Sequence, residues 1–250
     1  MKMKISSIQS KILIFALTVS LLPIGFLTFF FYQHEKRTTM DSILNSMRAL
    51  AETKGEHIKT VMESKKNRTI DFSTDGFIIE FLNKLNLDEK DKAKIEFYGN
   101  AIGAHLKRNK APLDSDLDSI GVVNQRGHLV ASSHLSEIWK ETGALNIELI
   151  GKILKQTPET REVYIDTPYA SVGRKKIILS FYAPAFSRQT QKAIGVLINN
   201  FNLNFLNVIT TNHVGLGKTG EIYLVDKQNR MLTESRFLPN AVYKQTVNTF

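Results

Sequence analysis

The sequence predicts an α+β protein: one membrane-crossing helix running into a long stalk helix, then an antiparallel sheet carrying helices. Three observations predict this. Residues Ile12 to Tyr32 form 21 consecutive uncharged, mostly apolar positions. Apolar residues then recur at spacings of three and four as far as residue 111. From Pro112 onward the pattern changes to short β-rich runs punctuated by glycine and proline.

The apolar run has the length that a bilayer core about 30 Å thick demands of a helix, roughly 20 residues. Pro23 is its one interior break signal, and membrane helices tolerate such prolines. A cleaved signal peptide would have a shorter apolar region and a small-residue cleavage site. This run instead leaves through Phe29, Phe30, Phe31, Tyr32 and Gln33. An uncleaved anchor is expected. The leader carries Lys2, Lys4 and Lys11 and no acid. The equal basic counts on the two flanks do not decide orientation by themselves. The acid-free leader and the ease with which long domains translocate place residues 1–11 in the cytoplasm and residues 33–250 outside it.

The chain has no cysteine, which excludes disulfides, cysteine-ligated zinc and a cysteine nucleophile. The net charge of +9 is spread along the chain rather than gathered in a block. It reads as a solvated basic surface rather than a nucleic-acid footprint, with attraction to anionic lipid headgroups or small anionic ligands as the secondary reading.

Beyond the membrane, Met40, Ile43, Met47, Leu50, Lys54, His57 and Val61 make a heptad-like stripe. It predicts a stalk helix to about Lys66, paired with a second copy of the chain or packed on the chain's own domain. Phe77 to Leu85 and Ile95 to Leu106 make further amphipathic helices, with His105 beside the second as a packed or surface residue. Ser119 to Ser132 reads as a hairpin turning at Asn124 to Gly127. A helix at Gly143 to Gln156 and strands at Arg161–Asp166, Lys176–Ala183 and Ala193–Asn200 complete a five-stranded sheet. Leu203–Thr211 reads as a linking helix, and Gly220–Val225 and Met231–Thr233 as the start of a second hairpin. That second unit breaks off at Phe250, so a truncated sequence is expected. The predicted organisation is 1–11 leader, 12–32 transmembrane helix, 33–111 stalk and covering helices, 112–202 sheet domain, and 203–250 linker helix with an incomplete second domain.

Ile120 to Asn124 with Gly127, Ser132 and Ser133, then Ile178 to Pro184 with Gly195 to Ile198, then Gly215 to Val225 with Leu232 to Phe237, resemble the double Cache sensor region of bacterial transmembrane receptors. That resemblance implies two PAS-like units, membrane-distal and membrane-proximal, in a bacterial inner-membrane receptor. It further implies a small ligand in the distal unit that shifts a dimer equilibrium across the membrane. The output domain in such receptors is a histidine kinase, a chemotaxis module or a diguanylate cyclase, so enzymatic activity is left open. The competing reading is a membrane-anchored structural or protein-interaction domain.

Period-two alternation puts Val196, Ile198 and Asn200 on one face of the last strand and Ile178, Ser180 and Tyr182 on one face of the strand before it. Tyr164, Asp166 and Tyr169 cluster near the loop ending at Gly173, Arg174, Lys175 and Lys176. The ligand candidates are therefore Trp139, Tyr164, Asp166, Tyr169, Lys175, Ser180, Tyr182 and Asn200. Ordinary packing is the alternative role for each. The resemblance implies an aspartate where this chain has Asn200 and an Arg-x-Trp-Tyr element where it has the isolated Trp139. An amide does not neutralise an ammonium, so an amino-acid ligand is disfavoured. No cofactor or metal site is expected. Gly215 to Gly220 ends like a phosphate loop at Gly217, Lys218 and Thr219, but Asn212 occupies the first glycine position and the context is helix to strand. No histidine pair has metal-ligand spacing, and no serine elbow accompanies Ser132, Ser133 and His134.

Overall fold

The computed structural model describes residues 8–88, 90–134, 145–171, 176–212 and 214–248. The chain divides into two compact units, residues 1–53 and 54–250.

The first unit is the N-terminal part of helix α1 (Ile8–Ser73). Pro23 lies inside the helix, and residues 10–49 are exposed throughout. Among the described residues α1 is the one helix long and apolar enough to cross a membrane. Helix α1 ends at Ser73, not near Lys66, because the C-terminal turns bury a face. Lys65, Thr69, Phe72 and Ser73 are buried and Ile58, Val61 and Met62 are half-buried, a spacing of three and four that lays one stripe on the second unit's core. The predicted stripe therefore divides. Met40, Ile43 and Met47 stay exposed, whereas Val61 packs on the core. Lys54 interrupts the apolar pattern because its ammonium donates to the Ile209 carbonyl at 2.7 Å, satisfying an orphan acceptor at a helix C-terminus.

In the second unit, α2 (Gly76–Leu87) starts at Asp75, whose Oδ1 accepts from the N–H groups of Phe77 and Ile78. Asp91 caps α3 (Lys92–His105) in the same way. His105 stacks on Phe77 at 4.5 Å, the packed role expected for it. Strand β1 (Leu117–Asn124) turns into β2 (Leu129–Ser132). Asn124 Oδ1 accepts from the Arg126 and His128 N–H groups, and Gly127 takes φ 82°, where a Cβ would be strained. Helix α4 (Ile147–Ile153), strands β3 (Tyr164–Ile165), β4 (Tyr169–Ser171), β5 (Lys176–Phe186) and β6 (Ala193–Asn202), and helix α5 (Asn204–Thr210) follow.

The sheet is antiparallel with order β2-β1-β6-β5-β3, and β4 also pairs with β5. It has six strands, not five, because the predicted strand at Arg161–Asp166 survives only as Tyr164–Ile165. After the Asp166–Pro168 interruption the chain pairs again on the same edge of β5 as β4. Pro168 has no N–H to give a ladder.

Helices α1, α2 and α3 cover one face, where Phe72, Ile78, Leu82, Ile102, Ile120, Val122 and Leu197 form a dry cluster. Gly99 of α3 admits a close approach there: a Cβ would stand 2.4 Å from the Val130 carbonyl oxygen of β2. Helix α3 thereby shields the open edge strand. On the other face α4 covers Val123, Tyr182, Val196 and Ile198 with Ile150 and Ile153. The predicted strand at Gly220–Val225 is reduced to a single bridge, Val225 to Met231. Asp226 ties that turn by accepting from Gln228 N, Arg230 N and Arg230 Nε. A two-stranded hairpin without a sheet to join is marginal, so its turn forms and its ladder does not.

Candidate functional site

The α4 face gathers most of the sequence-predicted residues. Register places Ser119 opposite Asn200 and Asn200 opposite Ser180, so three polar side chains line up across β1, β6 and β5. All three are buried. Ser180 Oγ donates to Asn200 Oδ1 at 2.6 Å, and Asn200 Nδ2 donates to Ser119 Oγ at 3.0 Å. The row is closed on itself, as burial requires.

One residue further along each strand's face, Tyr182 lies opposite both Ile198 and Tyr164. Its hydroxyl accepts from the Asn146 N–H at 3.3 Å. Asn146 also caps α4 through Oδ1 to the Leu149 N–H and donates from Nδ2 to Asp166 Oδ2 at 3.0 Å. Asp166 Oδ1 accepts from the Thr167 N–H, and its own N–H donates to the Ser180 carbonyl. Burial pushes the Tyr182 phenol up to about 12, and the nearby Asp166 carboxylate adds to the rise. The phenol is therefore a neutral hydrogen-bonding group across the physiological range. Tyr164 and Tyr169 are half-buried beside the same cluster.

Six candidates, Tyr164, Asp166, Tyr169, Ser180, Tyr182 and Asn200, thus share the α4 face. Trp139 and Lys175 lie outside the described residues. The sequence reading missed Asn146 and Ser119. Asn146 had a signal, a cap-type residue directly before an apolar helical run. Ser119 had none, because its opposition to Asn200 depends on strand register.

The arrangement offers hydroxyls, amides and one half-buried carboxylate, which suits binding rather than bond making. Among the described residues no group of three or more His, Asp or Glu side chains is placed to hold a metal ion. A separate cleft of about 800 Å³ lies where Ser171, Lys176, Asn202 and Asn207 face Glu234 and Tyr243. None of the six candidates lines it.

No protein-family model matches the sequence, and no curated protein matches it. Solved structures do. The sensor domain of the Vibrio cholerae histidine kinase DctB superposes with a TM-score of 0.56 at 12% identity, covering 84% of this chain and 72% of that one. The ligand-binding domain of the Pseudomonas aeruginosa amino acid chemoreceptor PctC, in complex with GABA, gives 0.52 at 15% identity over 80% and 78%. The Campylobacter jejuni chemoreceptor Tlp3 ligand-binding domain, in complex with 4-methylisoleucine, gives 0.50 at 13% identity over 77% and 69%.

The chain has the fold of these sensor domains. The resemblance to a Cache-type sensor region, read from three short segments, is borne out in that fold. At such low identity the likeness fixes the architecture and does not carry residue roles from one protein to another.

Proposed function

We propose that residues 54–250 are the small-molecule sensing part of a receptor held in a bacterial inner membrane by α1, with residues 33–250 outside the cytoplasm. The observation that carries this reading is the Asp166–Asn146–Tyr182 cluster on the α4 face of a sensor-domain fold. The cluster sets polar groups among apolar side chains, as small-ligand sites do. Tyr164, Tyr169, Tyr182 and Asp166 are the contact residues in this reading. Asn200 is the buried floor beneath them, tied to both serines. Because Asn200 presents no charge, the reading favours a ligand not held by an ammonium at that position. An amine would have to be met at Asp166.

The test is thermal unfolding of the full chain in detergent against amino acids, GABA, amines and small carboxylates. A ligand at 100 times its Kd adds about 2.7 kcal/mol of stability. A saturable shift that Tyr182→Phe or Asp166→Asn weakens supports the site. Flat melting of a folded chain across the whole panel overturns it. An amine whose effect disappears in Asp166→Asn would mean that Asp166 meets the ammonium.

The reading includes a homodimer through the exposed stripe Met40, Ile43 and Met47, continuous with the packed part of α1. Since the chain has no cysteine, Ile43→Cys is a clean reporter. Oxidation should yield a disulfide-linked dimer in membranes, and an Asp41→Cys control beside the stripe should yield far less. Equal yields would remove the stripe as an interface.

A further inference from the structure

We propose that Asn199 and Thr69 form a two-state hydrogen-bonded joint that carries changes on the α4 face of the sheet into helix α1. The inference rests on the sensing reading for what the input is; the joint itself is a property of this fold.

Successive residues of a strand point to opposite faces. On β6, Asn200 is bound to Ser180 and Ser119 on the α4 face, while Asn199, also fully buried, points at α1. Asn199 Nδ2 donates to Thr69 Oγ1 at 3.1 Å, and that hydroxyl donates in turn to the Lys65 carbonyl at 2.8 Å. Asn199 Oδ1 has no partner among the described residues. A buried acceptor left open costs stability that an apolar residue of the same size would avoid.

Thr69 supplies a second arrangement. Its hydroxyl proton can leave the Lys65 carbonyl for Asn199 Oδ1 if the amide turns over, which leaves Nδ2 open instead. Each state makes one amide bond and leaves one amide end unmatched. The observed state also keeps the Thr69 hydroxyl on the Lys65 carbonyl, so the turned-over state lies above it by one hydrogen bond, about 0.5–1.5 kcal/mol. A small displacement of β6 chooses between them, and a bistable element of this kind is what coupling between sites requires.

Neighbouring contacts hold the rest of the interface still. One turn before Thr69, Lys65 Nζ binds Asp114 at 2.7 and 2.9 Å and Asp116 at 2.7 Å. It also stands 4.8 Å from the ring centre of Phe201, which shares the face of Asn199. Lys65 therefore pins α1 to the start of β1 and to β6, and Thr69 is the adjustable contact beside the pin.

The experiment needs no ligand. Ser180→Ala removes a partner of Asn200 on the far face, and backbone hydrogen exchange is followed in residues 62–73 of the full chain. Exchange there should change by about fivefold, the effect of one altered hydrogen bond. In Thr69→Val, Ser180→Ala should leave residues 62–73 unchanged, and Thr69→Ser should restore the response. Asn199→Leu gives the same test from the strand side, should Thr69→Val fail to fold. The proposal is overturned if Ser180→Ala leaves 62–73 unchanged in the parent chain, or changes it equally without the Thr69 hydroxyl. A flat ligand panel with a transmitted Ser180→Ala effect would sink the sensing reading alone, and the opposite pair of results would sink the joint alone.

Discussion

The two faces of the sheet are built from the same strands and are chemically unlike. Towards α1, α2 and α3 the strands present Ile120, Val122, Leu197 and Phe201, and three helices bury them. The polar groups admitted there, Lys65 with Asp114 and Asp116, and Asn199 with Thr69, all fasten α1 to the sheet. Towards α4 the strands present Tyr164, Ser180, Tyr182 and Asn200, beneath, among the described residues, one short helix whose cap also holds Asp166. One face is locked by packing and buried charge, while the other is a polar floor with a fully buried Tyr182 and the half-buried Tyr164 and Tyr169 beside it. Among the described residues the amount of helix on each face makes the difference, since the seven-residue α4 covers far less sheet than α1, α2 and α3 together.

That contrast predicts a ranking of effects. Lys65→Met should be the most damaging, because it leaves Asp116 without a cation and the largely buried Asp114 carboxylate with only Arg68 Nε at 4.0 Å. The expected loss is about 3–5 kcal/mol by urea unfolding. A loss under about 1 kcal/mol would mean the helix face is not locked by this contact. Gly195→Ala tests packing on the same face: its Cβ would fall 2.3 Å from the Val123 carbonyl oxygen and 2.6 Å from Leu82 Cδ2. Overpacking of this kind should cost about 1–3 kcal/mol by the same measurement.

On the α4 face, Asn200→Ala strands the Ser180 and Ser119 hydroxyls and should lower unliganded stability by about 1–3 kcal/mol. A residue held only for ligand contact would leave the unliganded melt unchanged, so that outcome would move Asn200 from floor to contact residue. The smallest effect concerns pH and the α2 cap. Burial raises the Asp75 carboxyl, but the Lys110 ammonium at 2.6 Å and the Ile78 N–H outweigh it and hold it below its ordinary value of 3.8. Its stabilising share is complete above 3.8 and is lost as pH falls below that value, through the lower folded one. Lys110→Met should flatten the stability curve in that acid range, and an unchanged slope would assign the acid sensitivity to other carboxylates.

Much of this was legible in the residues. Helices α2 and α3 follow from apolar spacing, while their caps at Asp75 and Asp91 came only with the structure. The β1–β2 hairpin follows from Asn124 and Gly127. Ser180, Tyr182 and Asn200 follow from alternation along β5 and β6, and Tyr164, Asp166 and Tyr169 from their clustering before the following loop. The interrupted edge was not legible, because the predicted strand ended at Asp166 and nothing in the residues beyond Pro168 showed that Tyr169–Ser171 pairs with the same edge of β5. The expected strand at Gly220–Val225 failed for a related reason: local β-propensity becomes a strand only when a partner edge is present.

By itself the sequence determined the class of each segment, the apolar helix long enough for a membrane, the two-faced strands and the absence of any cysteine chemistry. Those properties follow from short-range periodicity and from composition, which are written in adjacent residues. Only the tertiary structure decided that Ser119 and Ser180 occupy the two ends of the Asn200 amide, that Asn146 joins Tyr182 to Asp166, and that Lys65 and Thr69 meet β6. These contacts join residues dozens of positions apart in the chain, and strand register and helix docking, which long-range packing selects, set their geometry.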